Sequence, residues 1–288
     1  MDARSGSEAH IGALPAVSTI GPAGLGARSW PDGRGRPVLL VHGLSSNARL
    51  WDAVAEHLTA AGHPVLAVDL RGHGSSAQVP DAGPDATHTA AADLAGVCAA
   101  LGWTAPVVAG QSWGGNVVLQ LAADRPDLVH GIALVDGGWL HLGDQWPGID
   151  AAWEVLAPPM FDGLTATALR GRLRTAHPDW APGAIKATLG NLREHPDGTV
   201  TPWLSRERHR AIVASLLAHR PRTLYSQIRC PVALLTATDP TDPPHRRGQV
   251  AEAVAALPRA SVVEFAGGDH DLHAQHPEKV AAVIGDLA

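Results

Sequence analysis

The chain has 288 residues, 45% of them hydrophobic and 17% charged, which suits one large α/β domain or two small ones around a sizeable core. Its net charge is −6, without a basic block; this argues against a nucleic-acid partner and gives no reason to invoke an anionic membrane surface. No apolar run is long enough to span a bilayer, the N-terminal stretch Met1–Glu8 lacks the apolar segment of a signal peptide, and the two cysteines, Cys98 and Cys230, do not make a disulfide framework. A cytoplasmic protein with buried free thiols is expected.

Residues up to about Ser7 are small and polar without periodicity, and disorder is expected there. Leu14–Ile20 and Leu25–Trp30 flank Gly21-Pro22-Ala23-Gly24 and predict an antiparallel hairpin at a sheet edge. Pro37–Val41 and Pro64–Val68 are continuous apolar runs, the pattern of strands buried on both faces. The first ends in His42-Gly43-Leu44-Ser45-Ser46, and a helix follows from about Arg49. The second ends in Asp69-Leu70-Arg71-Gly72-His73-Gly74-Ser75-Ser76, and a helix follows over about Thr87–Leu101. Next comes Val107–Gln111, then Ser112-Trp113-Gly114-Gly115, then a helical run to about Ala123. Leu128–Val135 is a sixth strand, ending in Asp136-Gly137-Gly138. Strand and helix alternating at this pace mean a mostly parallel twisted sheet with helices on both faces.

The rhythm breaks over residues 137–226. That stretch shows no strand signal, is cut by prolines, and holds Trp139, Trp146, Trp153, Trp180 and Trp203. It predicts a helical cap inserted after the sixth strand, so that 1–136 and 227–288 form the core and 137–226 the lid. The sheet resumes with Pro231–Leu235, which leads to Asp239, and ends with Ser261–Phe265, which leads to Asp269-His270. A last helix runs from about Pro277 to Leu287.

In parallel sheets chemistry collects at the carboxyl ends of the strands. The turn Gly110-Gln111-Ser112-Trp113-Gly114 predicts a strained strand-to-helix corner that exposes the Ser112 hydroxyl, with glycines where a Cβ would clash. The helix it opens points free N–H groups at the serine, which suits a developing oxyanion. A serine hydroxyl needs a base within reach, and the base needs an orienting acid. Ser112, Asp239 and His270 each follow a predicted parallel strand, and Asp136 is an alternative acid at the end of the sixth.

That order, the His42-Gly43 loop, the Asp69–Ser75 loop and the Asp269-His270 loop before Pro277-Glu278 together resemble the α/β-hydrolase superfamily from about Leu25 to Ala288. The resemblance implies Ser112 as nucleophile, His270 as base, Asp239 (alternatively Asp136) as acid, and the backbone N–H groups of Leu44 and Trp113 as oxyanion hole. It implies a cofactor-independent serine esterase or lactonase that cleaves a small hydrophobic substrate through an acyl-enzyme. Amide or iminopeptidase-type hydrolysis, carbon–carbon hydrolysis and a non-catalytic receptor-like role are the alternatives. The expected partner is a small-molecule substrate, with the oligomeric state open between monomer and homodimer.

Other side chains have plainer expected roles. Trp113, Trp139 and Trp153 are candidates to line the pocket. His42, Arg71 and His73 are read as loop-fixing groups. His273 and His276 are expected at solvent or as caps, since the Asp269–His276 cluster matches no strong zinc spacing and no metal is expected. Arg206–Arg210 is read as a solvated helix face.

Overall fold

Apolar runs without charge on either face need cover on both sides, and the central strands have it. In a computed structural model describing residues 15–288 except 82, 84, 243 and 258, strands β3 (Val38–Val41), β4 (Val65–Val68), β5 (Val107–Gln111) and β6 (Gly131–Val135) are buried at every position. They belong to an eight-stranded sheet with β1 (Ala16–Ile20), β2 (Leu25–Trp30), β9 (Val232–Thr238) and β10 (Ala260–Ala266), in the order β1-β2-β4-β3-β5-β6-β9-β10. β1 and β2 form the expected edge hairpin, and β2 meets β4 antiparallel. The remaining pairs are parallel. The N-terminal disorder expected through Ser7 lies outside the described residues.

Helices cover both faces. On one, α2 (Ala86–Leu101), α3 (Trp113–Asp124) and α8 (Pro244–Ala256) pack on the side chains of Leu39, Leu66, Val108, Ile132 and Leu234. On the other, α1 (Asp52–Ala60) and α10 (Pro277–Gly285) pack on Leu40, Ala67, Ala109, Val135 and Leu235, with the short α9 (Leu272–Gln275) at its end. The alternation along each strand divides one sheet between two apolar layers. Cys98 and Cys230 are both buried and unpaired, and burial pushes each thiol up to about 11.

Between β6 and β9 the chain builds α4 (Ile149–Leu156), α5 (Ala166–Ala176), α6 (Pro182–Leu189) and α7 (Arg206–Ala218). It also builds a small hairpin that the sequence pattern did not predict. Strands β7 (Leu192–Glu194) and β8 (Val200–Pro202) pair antiparallel. Three residues per strand are too few for a period-of-two signal, and the information sits instead in the turn. Asp197 accepts from the Thr199 N–H at 2.9 Å, and Gly198 takes φ +80°.

The serine corner is shaped by close backbone approach. A Cβ at Gly110 would lie 2.5 Å from the Gly114 carbonyl carbon, and one at Gly114 would lie 2.5 Å from the His42 carbonyl oxygen. Gly137, just after β6, sits so close to the corner that a Cβ there would lie 2.5 Å from the Ser112 Cα. Gly137→Ala should therefore cost about 2 kcal/mol or more, because backbone rather than a flexible side chain must shift. Thermal unfolding of the variant measures this, and an unchanged Tm would contradict it.

Candidate active site

Ser112 occupies the predicted corner. Its backbone is at φ 54°, ψ −122°, a region that costs an L-residue strain and persists where surrounding packing imposes it. The strain places the side chain at the mouth of the sheet, and the N-terminus of α3 begins at the next residue. Trp113 N–H and Leu44 N–H have no hydrogen-bond partner among the described residues, and the loop that carries Leu44 reaches the serine at Gly43. A Cβ at Gly43 would lie 2.9 Å from the Ser112 Cβ. Both N–H groups are thus free to meet an oxygen atom beside Ser112.

His270 is placed by the loop after β10. Its backbone carbonyl accepts from Gln111 Nε2 at 3.0 Å, so the residue before the serine ties the two loops together. Its Nδ1 lies 2.6 Å from Asp136 Oδ2. An ionised carboxylate only accepts, so Nδ1 carries the proton and Nε2 is left as the basic nitrogen. The His270 side chain is 51% exposed while Asp136 is 1% exposed; the ring opens on a cavity and its acid is sealed behind it. Ser112 and His270 both line that cavity, of about 440 Å³. No hydrogen bond joins the two side chains among the described residues, a looseness common before substrate binds.

The structure brings Asp136, and not Asp239, to the histidine. Asp239 is exposed and folds onto its own turn, accepting from the Thr241 N–H at 2.7 Å and from the Thr241 hydroxyl. β9 is seven residues long and carries Asp239 past the rim, whereas β6 stops two strands from the histidine loop and leaves Asp136 facing it. Asp136 takes φ 45°, which turns the chain away sharply after β6. Its Oδ1 accepts from the Ala237 N–H at 3.1 Å and from Arg246 Nη2, which leaves Oδ2 for His270.

The electrostatics follow from this arrangement. Burial works against charge on Asp136, but the hydrogen bonds from His270 and Arg246 outweigh it and hold the carboxyl below the usual carboxylate range. Burial likewise disfavours the imidazolium of His270, but the hydrogen bond and charge of Asp136 outweigh it and raise its pKa. Arg246 was not anticipated; it lies in α8 and offers no motif. Gln111 was likewise missed, because its role depends on a loop 159 residues away.

Of Trp113, Trp139 and Trp153, the structure places one on the Ser112 cavity. Trp139 lines the Ser112 cavity with Leu44, Leu142, Trp146, Leu156 and Leu216. Trp113 does not. As the first residue of α3 its ring turns toward α2, donates Nε1–H to Thr87 Oγ1 at 3.1 Å, and is buried. Trp153 does not line it either; the ring is half-buried, edge-on to His209 at 5.6 Å and with the guanidinium groups of Arg206 and Arg210 each 5.4 Å from it.

The remaining histidines are mostly braces. His42 Nδ1–H donates to the Gly43 carbonyl at 2.7 Å, and its Nε2 accepts from the Leu70 N–H at 3.0 Å. His73 accepts from the Ser45 N–H at 3.2 Å, and Arg71 pairs with Asp93 at 2.6 Å. His273, expected at solvent, is fully buried against Trp51 with ring centroids 4.4 Å apart, and burial pushes it down to about 3. Asp269 accepts from Trp180 Nε1 at 2.8 Å and pairs with His177 at 3.1 Å, which fastens the cap to the histidine loop. Among the described residues no three His, Cys, Asp or Glu side chains converge as metal ligands. No described helix is long and apolar enough to cross a membrane.

Comparison with known proteins agrees with this fold. The family model of the α/β-hydrolase fold matches residues 36–277. An esterase of Mycobacterium tuberculosis is 39% identical over 125 residues, 43% of this chain and 40% of that protein. A lipase of the same organism is 39% identical over 109 residues, 38% of this chain and 40% of the lipase. The chain thus spans about two fifths of the length of these two relatives. A serine hydrolase-like protein of Danio rerio is 27% identical over 274 residues, 90% of this chain and 83% of that protein. Among solved structures, a thioesterase domain from the curacin biosynthetic pathway superposes with TM-score 0.74 at 21% identity, covering 94% of this chain and 99% of the domain, which speaks to the fold. With that family model matched over most of its length, the chain belongs to the α/β-hydrolase family.

Proposed function

We propose that this protein is a cofactor-independent serine hydrolase of carboxylic esters or lactones, with Ser112 as nucleophile, His270 as general base and Asp136 as its acid. The observation that carries the reading is the buried Asp136 carboxylate 2.6 Å from Nδ1 of a histidine that opens on the Ser112 cavity. Asp136 fixes the tautomer, so Nε2 can accept the serine proton as Oγ attacks the carbonyl carbon. The carbonyl oxygen becomes an oxyanion received by the N–H groups of Leu44 and Trp113, an arrangement whose loss costs about two to three orders of magnitude in rate. The imidazolium then gives its proton to the departing alkoxide, which leaves Ser112 acylated. Water attacks the acyl-enzyme with His270 again as base, and the acid departs. Nothing in this sequence of steps calls for a metal or a cofactor. The apolar walls from Trp139, Leu142, Trp146 and Leu216 suit a hydrophobic substrate. The two unpaired buried cysteines suit a reducing compartment, and we place the protein in the cytoplasm.

A fluorophosphonate probe should label Ser112 in the folded protein and fail on Ser112→Ala; folded wild-type protein that resists labelling contradicts the assignment. Asp136→Asn should lower kcat/KM for p-nitrophenyl esters by about four orders of magnitude, whereas Asp239→Asn should leave it near the wild-type value. The reverse ranking would return the role to Asp239.

The base works neutral, so kcat/KM should rise with pH through the raised pKa of His270, above the ordinary imidazole range. The Arg246 guanidinium disfavours charge on the ring and also shares the Asp136 carboxylate. Arg246→Met should therefore raise the His270 pKa further and move the acid limb of the profile to higher pH. Titration of His270 by NMR checks this, and a limb that stays in place or moves down excludes it.

A further inference from the structure

A second cavity lies beneath the same cap. It encloses about 330 Å³, near the lower end of the usual range for small-molecule sites. Phe161, Leu164, Leu169, Leu173, Trp203 and Leu204 line it, with contributions from α5, α6, α7 and the small hairpin. Neither Ser112 nor His270 touches it.

Its position relative to the serine is what matters. Leu44 lines the Ser112 cavity, and Ser45, the next residue, lines this one. The two spaces therefore meet at one short loop, whose N–H at Leu44 faces the reacting oxygen in the proposed mechanism. Between them stands His209 of α7, its Nε2–H donating to the Leu156 carbonyl at 2.9 Å and its Nδ1 accepting from the Ser45 hydroxyl at 2.9 Å. Leu156 lines the first cavity and His209 the second. One imidazole and one serine side chain thus link the linings of the two spaces, with Ser45 held at φ 60°.

The chemistry decides which half of a substrate goes where. The leaving alcohol must take a proton from His270, so it sits in the cavity that His270 lines. The acyl group stays bonded to Ser112 after the alcohol leaves, with its carbonyl oxygen at Leu44 N–H, and extends away from His270. Ser45, the residue after that N–H, lines the second cavity. We propose that the second cavity is the subsite for a straight, medium-length fatty acyl chain, entered past the Ser45–His209 contact. This inference rests on the serine hydrolase reading and adds the acyl class to it. A chain lodged there leaves water for an apolar wall, a gain that grows with each methylene.

The test compares p-nitrophenyl acetate with p-nitrophenyl octanoate. Wild-type protein should favour octanoate in kcat/KM, and Leu169→Trp, which fills the chamber from α5, should lower the octanoate-to-acetate ratio by about tenfold or more. Leu164→Trp fills it from a different segment and should act alike, which separates a blocked chamber from a poorly folded variant. On the Ser112→Ala protein, fluorescence of cis-parinaric acid should report binding that octanoate displaces and Leu169→Trp weakens. If both esters are turned over but neither tryptophan variant changes the ratio, the acyl subsite is overturned and the hydrolase reading stands. If neither ester is turned over and the fluorophosphonate leaves Ser112 unlabelled, the hydrolase reading falls and the acyl assignment falls with it, whatever parinarate does.

Discussion

A carboxylate taken out of water must find its hydrogen bonds inside the protein or give up its charge. Asp136 finds three. The Ala237 N–H comes from β9, the guanidinium from α8, and the imidazole from the loop after β10. Those three elements lie 101, 110 and 134 residues further along the chain, so one side chain ties the end of β6 to the whole C-terminal third of the sheet. The arrangement also explains why the ring of His270 sits at the serine. Two donors occupy Oδ1, which leaves Oδ2 as the place for Nδ1. The site is in this sense a consequence of satisfying one buried charge.

The serine corner rests on a different constraint, the volume of single carbon atoms. Gly110, Gly114 and Gly137 allow β5, α3 and the turn after β6 to touch backbone to backbone. The resulting geometry holds Ser112 in a conformation it would not adopt alone. Rigid backbone contact on three sides is what lets the strain persist, and it brings the free N–H at the start of α3 to Ser112 without any side chain doing so.

The cap adds a third layer with a different texture. It meets the core through a few directed contacts as well as apolar packing. His177 and Trp180 hold Asp269 beside the base, and His209 reaches Ser45 beside the oxyanion loop. Each of these contacts joins the cap to a loop that carries the chemistry. The cap is therefore fastened beside His270 and beside Leu44 through hydrogen bonds rather than through the sheet.

Local pattern was enough for the sheet, the edge hairpin and the serine corner. Continuous apolar strands, helical periodicity and glycine spacing are properties of short stretches, and steric exclusion acts between near neighbours. The histidine could be read for the same reason, since it follows a recognisable strand. The acid could not. Asp136 and Asp239 both end parallel strands, and choosing between them depends on how far β9 runs past the rim and where α8 puts Arg246. His209 sits inside a run of charges that locally resembles a solvated face, yet α7 turns it inward onto Ser45. Trp113, next to the nucleophile in the chain, points away from it because α3 faces α2. The sequence by itself determined which segments are strands and helices and where a strained serine must lie. The tertiary structure alone decided which polar groups meet, because the burial of a charge is settled by segments more than a hundred residues apart.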